Sequence, residues 1–110
     1  MPAGLYNFVI EEGADFALGV KIKMNDEVQN LNLWQFKAEL RTSQNGALLA
    51  TFTSELATDG ETLRIGLPAS TTDGLSPQAA RWDLLATTPD GRRLRLLEGK
   101  VTISASVTEL

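Results

Sequence analysis

The sequence predicts an all-β protein built from short, mostly antiparallel strands, arranged as a sandwich or a small barrel. Two observations predict this fold class. Apolar and polar residues alternate with a period of two through much of the chain, as they do in strands that bury one face. Turn-forming residues separate these runs at short intervals, which is typical of sandwiches and barrels. The length of 110 residues suits one domain, predicted over residues 1–110.

The alternating runs define the predicted strands. The clearest runs begin at Phe16, Trp34, Leu63 and Val101, and each places its apolar residues on one face. The predicted strands cover residues 4–10, 15–24, 33–42, 47–54, 61–67, 80–88, 92–99 and 100–107. The residues predicted to face the core are Phe16, Leu18, Val20, Ile22, Met24, Trp34, Phe36, Ala38, Leu40, Leu63, Ile65, Leu67, Val101, Ile103, Ala105 and Val107.

Turn chemistry lies between the strands. The breaking residues are Gly13, Asn25-Asp26-Glu27, Asn45-Gly46, Asp59-Gly60, Asp73-Gly74 and Pro89-Asp90-Gly91. Gly99 predicts a bend or bulge that joins the last two strands into one kinked strand. Residues 69–76 predict a helical turn within a crossover, and no other segment has a helical pattern.

Composition excludes several function classes. A net charge of −4 argues against nonspecific nucleic-acid binding, which needs a basic surface. The chain contains neither cysteine nor histidine, so Cys-ligated metal sites and Ser–His–Asp or Cys–His catalysis are impossible. We expect no catalytic residue, no metal and no cofactor. No secretory signal and no apolar run of membrane-spanning length are visible, so we expect a soluble protein that contacts no membrane.

Two acidic segments are candidate metal or acid–base sites. Glu11, Glu12 and Asp15 surround the first turn, and Asn25-Asp26-Glu27 forms another. Adjacent Glu11 and Glu12 would point to opposite sides of a strand, and the spacing of an EF-hand is absent. Solvated turns are the favoured interpretation of both segments.

Arg92, Arg93 and Arg95 follow the Pro-Asp-Gly turn and form a candidate anion-binding hairpin. Arg93 and Arg95 would share one strand face, because they alternate with leucines. An ordinary exposed face, paired with Glu98 or with an acid on a neighbouring strand, is the favoured interpretation.

The two tryptophans are candidates for a ligand platform, but core packing is favoured for both Trp34 and Trp82. We expect Trp34, Phe36, Trp82 and Ile103 to be buried. Asp83 is expected to face water or an arginine such as Arg41 or Arg64, rather than to act in catalysis.

Three segments resemble small structural proteins of tailed bacteriophages. Residues 6–16, from Tyr6-Asn7-Phe8 through Gly13 to Phe16, resemble the opening strand, glycine turn and aromatic of that group. Residues 31–41 resemble its third strand, although Asn32-Leu33-Trp34 replaces the usual lead. Residues 82–104 resemble its closing hairpin. The chain is also similar to the Ig-like N-terminal domains of phage upper-baseplate proteins.

This resemblance implies an Ig-like β-sandwich of seven to eight mostly antiparallel strands. It implies a virion structural module, assembled in the host cytoplasm, that acts as a tail, baseplate or fibre-attachment adaptor by docking onto other virion proteins. Homo-oligomerisation is expected as well. The alternatives are a capsid decoration protein and a receptor- or carbohydrate-binding module at a fibre tip. A small hydrolase is a third class, which the absent histidine and cysteine disfavour.

Overall fold

Two β-sheets packed face to face make up most of the structure, a computed structural model that describes residues 3–24, 26–43 and 45–105. Strands account for 58% of these residues and helix for 4%. The expected all-β sandwich is confirmed. In chain order the elements are β1 (Gly4–Leu5), β2 (Phe8–Glu11), β3 (Phe16–Lys21), β4 (Lys23–Met24), β5 (Glu27–Val28), β6 (Gln35–Arg41), β7 (Leu48–Thr51), β8 (Thr53–Leu56), β9 (Thr62–Leu67), α1 (Ala69–Thr72), β10 (Gln78–Thr87) and β11 (Arg93–Ser104).

The larger sheet has the strand order β1–β11–β10–β6–β7, and β2 also pairs with β11. Both β1 and β2 run parallel to β11, whereas the other pairs are antiparallel. The smaller sheet has the order β3–β9–β8, and β4 and β5 form a short hairpin. Strand pairing is therefore mostly antiparallel, as expected.

The described residues form eleven strands rather than seven or eight, because three predicted strands are interrupted and because a short strand, β5, begins at Glu27, which was predicted to lie in a turn. Residues 4–10 divide into β1 and β2, residues 15–24 into β3 and β4, and residues 47–54 into β7 and β8. The predicted strands 92–99 and 100–107 are one strand, β11, as far as residue 104. Residues 106 and 107 lie outside the described part of the chain.

The break between β7 and β8 occurs where the chain passes from one sheet to the other. β7 pairs with β6 in the larger sheet, and β8 pairs with β9 in the smaller one. Phe52 lies between them, only 4% exposed, and its backbone N–H donates to the carbonyl of Ala38 at 2.9 Å. Burying this aromatic ring between the sheets makes the crossing favourable.

The core lies between the two sheets and contains the alternating apolar residues of both. Leu40 and Leu84 of the larger sheet are fully buried, as are Leu63 and Ile65 of the smaller sheet. Four aromatic rings form a cluster with centroid separations of 4.7 to 6.2 Å; they are Phe8, Phe16, Phe52 and Trp82. Aromatic rings at these distances attract one another, which stabilises the fold beyond the effect of their buried area.

Of the four residues singled out above as buried, two are confirmed. Trp82 and Ile103 are 3% and 2% exposed. Trp34 and Phe36 are only half-buried, and their rings stack at 6.2 Å. The expectation of full burial was wrong for these two because Trp34 directly precedes β6 and Phe36 lies near its beginning, where both pack against the core without being enclosed by it. Ala105, also predicted to face inward, is exposed just beyond the end of β11.

Gly99 has a different role from the predicted bend. The register shift in the β10–β11 pair lies between Leu84 and Leu85, and Leu96 is the extra residue opposite them. At Gly99 the strand is in register, but a Cβ there would overlap the carbonyl oxygen of Tyr6. Glycine is required because the segment between β1 and β2 passes directly over β11 at this point.

The same carbonyl of Tyr6 accepts a hydrogen bond from the Trp82 indole N–H at 2.8 Å. On either side of Gly99, the N–H of Tyr6 donates to the Glu98 carbonyl and the N–H of Lys100 donates to Asn7 Oδ1. The segment between β1 and β2 is thus attached to the sheet by backbone hydrogen bonds of Tyr6 and by the side chains of Asn7 and Trp82.

Candidate interaction surfaces

The outer face of β6, β10 and β11 carries charged residues in rows across the strands, and we call it the charged face. The cationic row is Arg41, Arg81 and Lys100. The acidic row is Glu39, Asp83 and Glu98. The mixed row is Lys37, Leu85 and Arg95. A fourth row contains Gln35, Thr87 and Arg93. Each row consists of residues directly opposite one another in the register of the sheet.

The charged face is cation-rich although the protein is acidic. It carries six of the ten basic residues and three of the fourteen acidic ones, a net charge of +3. The rest of the chain therefore carries −7 within a total of −4. This asymmetry gives the sandwich one face of opposite sign to its remaining surface.

Ion pairs on the charged face connect neighbouring rows; three of the four run along a single strand, and one crosses from β11 to β10. Glu39 pairs with Arg41 at 3.1 Å and with Lys37 at 3.7 Å. Arg95 pairs with Asp83 at 3.7 Å and with Glu98 at 3.6 Å. The expectation that this arginine face would pair with Glu98 or with an acid on a neighbouring strand is confirmed for Arg95, whereas Arg93 has no ion-pair partner among the described residues. All these groups are partly exposed, so each pair contributes little to stability.

Asp83 lies at the centre of the face and its pKa is raised above the ordinary value of an aspartate. Burial is the main cause, and the negative charges of Glu39 and Glu98 on either side add to it, while Arg95 and Arg41 oppose it. The prediction that Asp83 faces water or an arginine such as Arg41 or Arg64 was only partly right. Arg64 is on β9 of the smaller sheet, and Arg95 makes the direct contact.

The arginine hairpin divides between two environments. Arg92 lies in the turn and pairs with Asp90 at 3.2 Å. Arg93 and Arg95 share the outer face of β11, as the alternation predicted. The three guanidinium groups therefore form no common anion pocket, and two of them belong to the charged face.

A second surface is the tight turn before β6, which displays Leu33. This residue is 86% exposed and has φ of 70°, in the left-handed region that bulky residues rarely adopt. The N–H of Trp34 donates to the carbonyl of Leu31 at 3.2 Å across the turn. Leu33 thus occupies the position of a type II turn that normally requires glycine.

The segment that leads into the Leu33 turn is fixed by burial and by hydrogen bonds. Leu31 is 1% exposed, and its N–H donates to the carbonyl of Gly60 at 2.7 Å. The N–H of Asn32 donates to Asn30 Oδ1 at 2.9 Å, which forms an Asx turn. A buried leucine and two hydrogen bonds therefore fix the backbone from which the exposed leucine projects. The sequence contains no signal for this, since Asn32-Leu33 is not a usual turn pair.

A third surface is the edge of the larger sheet at β1 and β2. Leu5, Tyr6 and Val9 are 72%, 43% and 55% exposed there. Val9 is opposite Thr102 of β11 and the far side of β2 has no strand partner among the described residues. Such an edge presents backbone donors and acceptors together with apolar side chains.

The first acidic segment has a structural role in the described part of the chain. Asp15 Oδ1 accepts from the N–H of Ala69 at 2.6 Å, and Thr72 Oγ1 donates to the carbonyl of Ala14 at 2.7 Å. These bonds attach α1 to the β2–β3 turn. Asp26 and Glu27 are exposed at the β4–β5 hairpin, and Asn25 lies outside the described residues.

No group of three or more potential metal ligands occurs among the described residues. Within the same residues, no helix is long and apolar enough to cross a membrane.

Comparisons with known proteins give no family. No family model and no curated protein matches the chain. Among solved structures, the chain is similar to CopC from Methylosinus trichosporium OB3b, with 12% identity over 68% of this chain and 67% of that one and a TM-score of 0.46.

Two larger proteins are similar to this chain with comparable TM-scores. One is the internalin-like protein lmo2027 of Listeria monocytogenes, with 10% identity, 94% of this chain covered and a TM-score of 0.46. The other is a family 123 glycoside hydrolase of Clostridium perfringens, with 12% identity, 97% covered and a TM-score of 0.47. The chain spans only 28% and 24% of their lengths. None of the three is described as a phage protein.

Proposed function

We propose that this chain is a bacteriophage virion module that works by docking onto other virion proteins, as a tail, baseplate or fibre-attachment adaptor. The observation that carries the docking role is Leu33, an apolar side chain held in a strained backbone conformation and almost fully exposed. Strain of this kind persists only where the surrounding structure enforces it, and it is concentrated at functional positions.

Leu33 is costly to the isolated domain in two ways. A left-handed conformation costs a branched residue about 1–2 kcal/mol compared with glycine. Its exposure also leaves a large apolar side chain in water, where burial against a partner would stabilise it by about 1.5–3 kcal/mol. An exposed apolar side chain on a fixed turn has the character of an interface anchor.

The edge at β1 and β2 supports the same role. An unpaired strand edge accepts an extended segment from another protein through backbone hydrogen bonds. Leu5 and Val9, which are exposed beside that edge, would supply apolar contacts to such a segment. The two surfaces allow the module to contact two neighbours.

The virion assignment rests on the resemblance of residues 6–16 and 82–104 to phage structural domains. In the fold these segments are neighbours, because β1 and β2 pair with β11. The capsid decoration alternative uses the same surfaces, and separating heads from tails distinguishes it. The receptor- or carbohydrate-binding alternative needs a platform of exposed rings, whereas Tyr6 alone of the seven aromatic residues is markedly exposed.

The test is mass spectrometry of purified particles, with heads and tails separated, from phage that carry the wild-type chain or the Leu33→Gly variant. We expect the wild-type protein in the tail fraction and at least about a tenfold loss of the variant, the effect of removing an interface anchor. Leu48→Ala is the matched control, because Leu48 is an exposed leucine on β7 without strain.

Leu33→Gly should leave the isolated domain at least as stable, since glycine removes the strain. Loss of incorporation would then not reflect unfolding. A protein that is abundant in infected cells but absent from particles would refute the proposal, and recovery in the head fraction would favour capsid decoration.

A further inference from the structure

The charged face has an arrangement that is unfavourable within one copy of the chain. Arg81 lies directly between Arg41 and Lys100, and Asp83 lies directly between Glu39 and Glu98. Like charges directly opposite each other on neighbouring strands destabilise a sheet.

We propose that the charged face is the interface of a symmetric dimer of this chain, with the two-fold axis lying between the cationic row and the acidic row. The axis runs across the strands, so that each strand lies over the same strand of the second copy. The cationic row of each copy then faces the acidic row of the other.

The pairs that this axis creates are complementary on all three strands. Arg81 faces Asp83 of the second copy, and the flanking pairs are Arg41 with Glu39 and Lys100 with Glu98. Each pair occurs twice, because a two-fold interface is reciprocal. Each row of like charges thus meets a row of the opposite sign.

The positions of the rows favour this two-fold axis over one that is shifted by one row along the strands. With the axis between the two rows, Leu85 meets Ala79 of the second copy, so that an apolar residue 41% exposed is covered by another apolar one. Shifted by one row, the axis would place Leu85 on Asp83 and Lys100 on Arg93. That arrangement would bury a carboxylate against a leucine and oppose two cations, which is unfavourable.

Two of the three residues in the cationic row are available for these contacts. Arg81 and Lys100 have no ion-pair partner among the described residues. Extended nucleic acid is a poorer fit, because the acidic row crosses the middle of the face and would repel phosphates. A second copy supplies both signs in the required order.

The size of the face predicts a weak dimer. Three strands about 4.8 Å apart and three rows about 6.8 Å apart give roughly 300 Å² per copy. A standard interface buries about 800 Å² per partner. The dimer should therefore form at high local concentration, as in an assembly, and weaken with salt because its contacts are charged.

The experiment compares the wild type with two charge reversals, Arg81→Glu and Asp83→Arg. Sedimentation equilibrium and native mass spectrometry at low salt measure self-association at protein concentrations up to about 1 mM, the weak end of specific association. Each variant alone places like charges across the axis. We expect each to weaken self-association at least about tenfold. An equimolar mixture should form a heterodimer, because the introduced glutamate of one variant then faces the introduced arginine of the other. The second central pair is unchanged, since Asp83 of the first variant still faces Arg81 of the second.

Both variants should fold as well as the wild type, because each replaces a row of like charges by an alternating one. Arg64→Glu and Glu55→Arg are the matched controls, with the same changes in charge on β9 and β8 of the smaller sheet, and should dimerise normally. A wild-type chain that stays monomeric at low salt, or a mixture that forms no heterodimer, would overturn the proposal.

The dimer deepens the proposed docking role and rests on it only for its biological setting. Leu33 lies outside the charged face, so Leu33→Gly should dimerise like the wild type. Failure of the dimer and failure of virion incorporation are therefore separate outcomes.

Discussion

A methyl group added at Gly99 tests the contact that fastens the first strands to the last one. In Gly99→Ala the new Cβ overlaps the carbonyl oxygen of Tyr6, so the segment between β1 and β2 must move away from β11. The carbonyl then leaves the indole N–H of Trp82, a residue that is only 3% exposed.

The expected cost combines two effects. Overpacking against backbone costs about 1–3 kcal/mol. An unpaired buried donor costs about 1–3 kcal/mol more. We therefore expect the free energy of unfolding to fall by about 2–5 kcal/mol, measured by urea denaturation with circular dichroism and tryptophan fluorescence.

Gly19→Ala is the matched control, because Gly19 is also a strand glycine but its Cβ would meet Thr62 Cγ2 at an ordinary 3.6 Å. We expect it to change stability by less than about 0.5 kcal/mol, as surface substitutions do. Combining Gly99→Ala with Trp82→Phe should cost less than the sum of the two, since both disrupt one hydrogen bond. A Gly99→Ala protein as stable as the Gly19→Ala protein would refute this reasoning.

Burial and charge lead to three further predictions. Trp82→Ala should lower the free energy of unfolding by about 3–5 kcal/mol, and Trp34→Ala by clearly less because Trp34 is half-buried; equal losses in urea denaturation would contradict this. The N–H groups of Glu61 and Thr62 and the Thr62 hydroxyl donate to Asp59 and lower its pKa to about 2, so its contribution to stability is present above about pH 4 and lost as the pH falls toward 2. The stability difference between wild type and Asp59→Asn should therefore shrink over that range, and a constant difference would show that the hydrogen bonds do not favour the carboxylate. Tight, salt-dependent binding of duplex DNA should be absent in a gel-shift assay despite Arg92, Arg93 and Arg95, because carboxylates are interspersed among them.

The strands were predictable because alternation is a local property. β6, β9, β10 and β11 begin and end within a few residues of the predicted bounds, since burial of one strand face requires the period of two. A helical turn was predicted within residues 69–76, and α1 occupies the first part of that range. Gly99 was recognised as special, but its actual role depends on Tyr6, which is distant in sequence.

The candidate surfaces were less predictable because they depend on register and on backbone conformation. The rows of the charged face exist only once β6, β10 and β11 are aligned, and no local pattern places Arg81 between Arg41 and Lys100. Leu33 gave no signal, because left-handed turn positions are normally inferred from glycine or asparagine. Its conformation follows from the burial of Leu31 and the contact with Gly60.

The parallel pairing of β1 and β2 with β11 also has a consequence for how the chain folds. Asn7 and Lys100 are hydrogen-bonded although 93 residues separate them, so an edge of the larger sheet closes only after its final strand is available. Contacts so distant in sequence carry a large loop-closure entropy and slow folding. During synthesis, the exposed apolar residues of the first strands remain unpaired until β11 has left the ribosome. In that interval the nascent protein is most open to strand exchange with a neighbouring copy and to aggregation.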